Sequence, residues 1–383
     1  MTLSPNISRT GPRRNPSTRR RQLPVFPASP LPPLYAAWID QLLAGPIPTE
    51  TDATCDDCAM LPAAGQVQQR TDTFFNPETK CCSYVPQLPN YLVGRILSDD
   101  DPVFAAGRAT VEARLRAGVA VTPLGLEQPP TFQLPYNTSS STLFGQSRSL
   151  LCPHYIADEG GRCGVWKQRA SVCATWHCKY VRGSVGYAFW STLLQLLSAI
   201  EKNLSQWCVL ELALDTEALA RLFPRPNSTN RSASINPRSL DGLPDPSESR
   251  MLWGNWFGRE AEFYRECARL VNGLDWPGVI AVSGAEVGIC AGLLREAYAK
   301  LVSYAIPTRL RVGTIQVIGM DQDSCRIISY NALDPLSIPR ILMDVLGYFD
   351  GRLTNEALQA IADDEGLAID ATLIRKLTDL EFW

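Results

Sequence analysis

Apolar positions recur at helical spacing through most of the chain. Over residues 186–204, Phe189, Trp190, Leu193, Leu194, Leu197, Ile200 and Leu204 share one stripe, with Glu201 and Lys202 facing away, which predicts a long buried helix. Shorter helices are predicted over 91–97 and 105–117, where Val111, Leu115 and Val119 recur every four residues. Others are predicted over 215–223, ended by Pro224, and over 259–272 and 285–305. Residues 34–150 otherwise read as short helices joined by Pro-rich loops.

The pattern changes near residue 310. Residues 310–318 and 325–330 are β-rich runs joined by 319–323, a predicted hairpin, and a change of phase at Gly313-Thr314 predicts a bulge. Three short helices are predicted after it: 337–348, stopped by Asp350-Gly351; one capped by Thr354 and ending near Gly366; and one from Asp370 to about Leu380. The fold class expected is mainly α with a small β-hairpin: an irregular cysteine-rich metal-binding domain plus a C-terminal winged-helix-like domain.

Composition sharpens the division. Residues 1–33 hold no acidic side chain, six arginines and many prolines, and read as a disordered basic tail. The cysteine-rich domain spans 34–223, a Pro/Ser/Asn-rich linker 224–250, a helical segment 251–306 and the C-terminal unit 307–383. A net charge of −3 provides no basic field for nucleic acid. No apolar run reaches the roughly 18 residues that span a bilayer, and no export signal is evident, so the expectation is a cytoplasmic, reducing location without membrane contact.

That expectation bears on the 12 cysteines. In a reducing compartment, clustered cysteines point to metal ligands before disulfides. Cys55 and Cys58 form a C-x2-C pair followed, after 22 intervening residues, by the adjacent Cys81 and Cys82. Cys152, Cys163, Cys173 and Cys178 fall within 27 residues. Thiolates select zinc, copper(I) or iron–sulfur clusters, and four suffice for a tetrahedral ion or a cubane. The side chains of Cys81 and Cys82 diverge, which suits two irons or two sites better than one zinc ion. His154 and His177, the chain's two histidines, lie beside Cys152 and Cys178. Cys208, Cys267, Cys290 and Cys325 are isolated in helix or strand patterns and read as core.

The stretch from Cys152-Pro-His-Tyr through Gly161-Arg-Cys163-Gly-Val-Trp166-Lys-Gln-Arg169-Ala-Ser-Val-Cys173 to Cys178 resembles the second half of the YkgJ-type cysteine-cluster family. Cys55, Cys58, Cys81 and Cys82 match that family's first half, with an insertion between the pairs, and Ala170 stands where the family has proline. The resemblance implies a zinc- or iron-chelating, iron–sulfur-type centre on all eight cysteines, with a 4Fe–4S cluster favoured and zinc as the alternative. Some proteins resembling this family are lysine N-methylases, but no loop for S-adenosylmethionine is apparent here.

Tyr330-Asn-Ala-Leu-Asp334 and Phe349-Asp-Gly-Arg-Leu-Thr-Asn-Glu-Ala357 resemble PqqD-like winged-helix domains, which implies a protein or peptide partner. Residues 355–383 carry Arg375 and Lys376 against seven acidic side chains, so DNA is disfavoured there. No G-x-G-x-x-G follows a strand, and no P-loop, H-E-x-x-H or nucleophile elbow is present. No catalytic residue is identified. The function expected is metal-cluster binding with a redox, metal-handling or sensing role; the alternatives are a cluster-dependent modifying enzyme and a zinc-stabilised regulatory protein.

Overall fold

The computed structural model describes residues 8–9, 30–50, 58–61, 75–224 and 245–382. Its architecture is mainly helical with small antiparallel sheets, arranged around two principal hydrophobic cores. The 29-residue helix Gly183–Glu211 runs through the first core, burying Phe189, Trp190, Leu193, Leu196, Leu197, Ile200 and Leu204. Helices Ala285–Val302, Trp276–Ser283 and Ser171–Thr175 pack against it. Helix Asn90–Leu97 packs on Glu260–Asn272 so closely that a Cβ on Gly94 would stand 1.8 Å from the carbonyl oxygen of Tyr264. Asn90 Nδ2 then ties the core together, donating to the carbonyls of Pro123 and Ser205 at 2.9 Å each.

Helix Ala105–Ala117 has the predicted bounds and ends on Gly118 in the left-handed region, a conformation open to glycine without strain. Thr216–Leu222 is capped by Asp215, whose Oδ1 accepts the Ala218 N–H at 2.9 Å. Helices Pro33–Leu42, Pro130–Leu143 and Trp276–Ser283 lie in stretches expected to hold helices but were not placed individually, and Pro246–Trp253 begins inside the predicted linker. In each, a proline occupies the first or second helical position, where the missing N–H has no helical acceptor to lose. The predicted linker therefore ends earlier than residue 250; residues 225–244 lie outside the described residues.

Glu201 departs from its predicted outward position. Its carboxylate accepts hydrogen bonds from the Tyr35 hydroxyl and from the backbone N–H and hydroxyl of Ser171, at 2.7 and 2.6 Å for the latter two. These three donors hold the carboxyl inside the fold, so the stripe rule misplaces it.

The second core gathers Leu310, Ile327, Leu336, Ile338, Leu342, Phe349, Ile361, Ile374, Leu377 and Phe382. Gln316–Met320 and Ser324–Ile328 form the predicted hairpin, with Asp321 Oδ1 accepting the N–H groups of Asp323 and Ser324 across the turn. The register shift falls between Val317 and Gly319, not at Gly313-Thr314. The phase change marks a different event: Arg309–Arg311 leaves the hairpin and pairs with Asp350–Leu353. Leu336–Pro339, at the start of the first predicted helix of this unit, is a strand on Ser324–Ile328, and the helix begins at Arg340. Within the stretch expected to be a disordered tail, Ser8–Arg9 pairs with Leu336–Ser337, and Leu31 is buried in the first core.

The cores meet at residues 179–182. Arg182 grips Asp379 with Nε and Nη2 at 2.8 and 2.6 Å, while Nη1 donates to the carbonyl of Ser303 at 2.9 Å. Lys179 pairs with Asp334 at 3.7 Å, both side chains buried. Among the described residues, no helix is long and apolar enough to cross a membrane.

Candidate metal centre

Cys55 lies outside the described residues; the other seven clustered cysteines lie within them. A knuckle over residues 152–164 positions two. The Tyr155 N–H donates to the Cys152 carbonyl at 3.0 Å, Tyr155–Ile156 pairs with Arg162–Cys163, and the Gly164 N–H donates to the His154 carbonyl at 2.8 Å. The Cys152 N–H donates to the Cys82 carbonyl at 2.8 Å, joining the two sequence groups. Cys82 closes a turn begun at Asn76, in which Lys80 adopts a left-handed φ of 49°. Such a non-glycine conformation costs on the order of 1 kcal/mol or more, and it immediately precedes the Cys81-Cys82 pair.

Helix Ala105–Ala117 closes over the knuckle through a glycine contact: the Cβ of any other residue at 107 would stand 1.7 Å from the Gly164 carbonyl oxygen. Gly107, Thr110 and Arg114 follow at helical spacing on that face. Thr110 Oγ1 donates to the Gly107 carbonyl at 2.6 Å and lies 2.8 Å from His154 Nδ1. With its one proton committed to Gly107, the hydroxyl accepts from Nδ1–H, which leaves the lone pair on Nε2. That Nε2 is buried and has no hydrogen-bond partner, and burial with the nearby Arg114 charge pulls the imidazole down to about 3, so the ring is neutral. Arg114 Nη2 donates to the carbonyls of Glu127 and Val119 at 2.7 and 3.2 Å, whereas its buried Nε and Nη1 have no partner.

Cys173 rides on the short helix Ser171–Thr175. Arg169 stacks on Trp166 at 3.7 Å and donates to the carbonyls of Cys173, Trp166 and Pro30. Glu201 holds Ser171 from the other side. The thiols of this region sense one another. Burial pushes Cys152 up to about 12, aided by the Cys163 charge and opposed by the His154 N–H and Arg114. Burial, then the charges of Cys163 and Cys152, push Cys173 well up, with Arg169 opposing.

Cys178 is buried in a small cluster with Met60 and Phe75, against which Cys58, Cys81, Phe144 and Leu333 pack. Asn331 Nδ2, from the C-terminal unit, donates to the Cys178 carbonyl at 2.9 Å. His177 packs on Trp190, with ring centroids 4.6 Å apart. Cys208, Cys267 and Cys325 are fully buried core residues, and Cys290 packs at the margin of the first core.

Among the described residues, no three His, Cys, Asp or Glu side chains converge as ligands of a single ion. Sequence reasoning missed Arg114, Thr110 and Glu201; none lies near a cysteine in the chain, and the periodic face of Ala105–Ala117 was the available signal for the first two. No family model, curated protein or solved structure matches the chain.

Proposed function

We propose that this chain binds an iron–sulfur cluster through its clustered cysteines and acts in electron transfer, metal handling or redox sensing. One observation carries this reading: the buried Cys152 thiol, which senses the charge of Cys163, lies within electrostatic reach of Arg114, and that arginine keeps two buried N–H groups unpartnered. An unsatisfied buried donor costs roughly 1–3 kcal/mol, and an anionic thiolate-ligated cluster beside Arg114 would remove that cost. Metal binding also displaces the protons that these thiols hold tightly, so the thiolate charge is gained together with the cation that neutralises it.

The donor set fits iron–sulfur chemistry. Thiolates are the ligands of such clusters, and N–H donors directed at their sulfurs tune the potential. All eight cysteines, Cys55, Cys58, Cys81, Cys82, Cys152, Cys163, Cys173 and Cys178, are proposed as ligands, as the likeness to YkgJ-type proteins implies. When bound, the cluster would supply one-electron chemistry; the chain's residues enclose it and exclude water. We read the C-terminal unit as a winged-helix-like module for a protein or peptide partner and place the protein in the cytoplasm, with zinc as the alternative metal.

The test is purification without oxygen, followed by a visible spectrum and iron, sulfide and zinc analysis. A broad thiolate-to-iron absorbance with iron and acid-labile sulfide is expected. Colourless protein with stoichiometric zinc would replace the cluster by a structural or regulatory zinc site. Metal-free protein with an intact fold and eight reactive thiols would sink the proposal.

A further inference from the structure

We propose that the cleft between helices Asn90–Leu97 and Glu260–Asn272 binds a small hydrophilic oxyanion, whose phosphate or carboxylate group is taken up by Arg95 and Arg265. No cysteine or histidine lines this cleft, so the inference is independent of the metal-binding reading.

Gly94 brings the two helices together. A Cβ there would stand 1.8 Å from the Tyr264 carbonyl oxygen and 2.9 Å from the Ala268 Cβ. Beside this contact the last turns of both helices leave a cavity of about 390 Å³, lined also by Lys167 and Gln168. Small-molecule sites occupy roughly 300–1,000 Å³, so the space suits a compact ligand. Ala268 is the one apolar residue of the ten that line it, so an apolar ligand would gain little there.

Four lining residues are cationic, Arg95, Lys167, Arg265 and Arg269, against the carboxylates of Asp99 and Asp100. Two of these cations are committed: Lys167 pairs with Asp99 at 3.0 Å, and Arg269 with Glu266 at 2.7 Å. Arg95 is held differently. Its Nε donates to Gln168 Oε1 at 2.8 Å and its Nη1 to Asn272 Oδ1, both neutral amides. Gln168 is itself buried, so the guanidinium is oriented before any ligand arrives. Neutral acceptors orient the charge without neutralising it, and burial pulls Arg95 below its usual value, with Asp99 opposing.

Arg265, exposed one turn before Arg269, makes no ion pair among the described residues. Both helices end at the cleft, and their C-terminal dipoles, about half a charge each, cancel part of the excess. Four cations against two carboxylates still leave the cleft positive, in a chain whose net charge is −3. An oxyanion supplies the charged acceptor that Arg95 and Arg265 lack, through charge-assisted N–H···O bonds.

Isothermal titration of the whole chain with pyrophosphate, and separately with citrate, tests the site. Saturable binding of one anion per chain is expected for at least one of the two, and which one binds tells phosphate from carboxylate. Arg95→Lys keeps the charge but loses the planar fork, so affinity should fall roughly 10- to 100-fold. Arg265→Glu reverses an exposed charge without touching the packing and should weaken binding about tenfold or more. Lys202→Ala, which removes an exposed cation outside the cleft, should leave binding unchanged. Failure of the wild type to bind either anion, or binding that survives both arginine changes, overturns the proposal. An equal loss in Lys202→Ala overturns it too, because the anion would then answer to the surface field at large. If Arg95→Lys fails to fold, the exposed Arg265→Glu decides.

Discussion

The backbones of Gly107 and Gly164 touch: a Cβ added at Gly107 would lie 1.7 Å from the Gly164 carbonyl oxygen. This contact seats helix Ala105–Ala117 on the cysteine knuckle and so places Thr110 at His154 and Arg114 near Cys152. Gly107→Ala must push the helix off the knuckle. The expected cost is about 1–3 kcal/mol or more from overpacking, together with reduced metal retention. Gly288→Ala is the control, since a Cβ there meets nothing within 4 Å and the helix should gain roughly 0.5–1 kcal/mol. Urea denaturation and iron analysis of both variants check the pair. Equal behaviour would show that the glycine contact does not position the site.

Much of the helical scaffold is legible from the chain, because its stripes are long and their period is plain. Gly183–Glu211 buries Phe189, Trp190, Leu193, Leu197, Ile200 and Leu204 of its predicted stripe, and Ala105–Ala117 has its predicted bounds. The clustered cysteines also announce a site. The pattern does not show that Gly107 is a contact, since a helical glycine reads only as a weak helix former. Nor does it show that Glu201 turns inward, because its donors, Tyr35 and Ser171, come from distant segments. The pairing of Arg309–Arg311 with Asp350–Leu353 is hidden for a similar reason: hairpin rules read local turns, and this pairing spans the whole hairpin and a helix.

Arg114 is expected to matter to metal retention more than to the fold. It opposes the rise of the Cys152 thiol, so Arg114→Met should push that thiol further up in the metal-free protein. Loss of such a supporting group weakens metal sites about 10–100-fold. Iron release to a chelator should accelerate accordingly, with little change in far-ultraviolet circular dichroism. Unchanged release would mean that the guanidinium does not act on the bound metal.

Glu201 offers a pH test. Burial raises its carboxyl above the ordinary 4.5, against the lowering effect of its hydrogen bonds from Ser171 and Tyr35. The folded state therefore holds the proton more tightly than the unfolded chain. The contribution to stability is fully present below about pH 4.5 and is lost as pH rises through the folded value. Glu201→Gln removes this dependence, so its cost relative to wild type should be greater at about pH 4 than at about pH 8. Denaturation midpoints at the two values measure the difference. A pH-independent cost would show that the carboxyl titrates normally.

Lys179 and Asp334 form a buried ion pair at 3.7 Å that joins the segment after Cys178 to the C-terminal unit, beside the Asn331 bond to the Cys178 carbonyl. Tyr330 also donates to Asp334. Removing one partner leaves a buried charge uncompensated, so Asp334→Ala is expected to cost about 3–5 kcal/mol. The double replacement Lys179→Met with Asp334→Leu should cost much less, because both desolvated charges leave together. Because the pair joins the two cores, Asp334→Ala should also speed trypsin cleavage between them. Unchanged cleavage would show that the pair does not hold the two cores together. A double variant as unstable as the single would place the cost in lost packing, not in the unpaired charge.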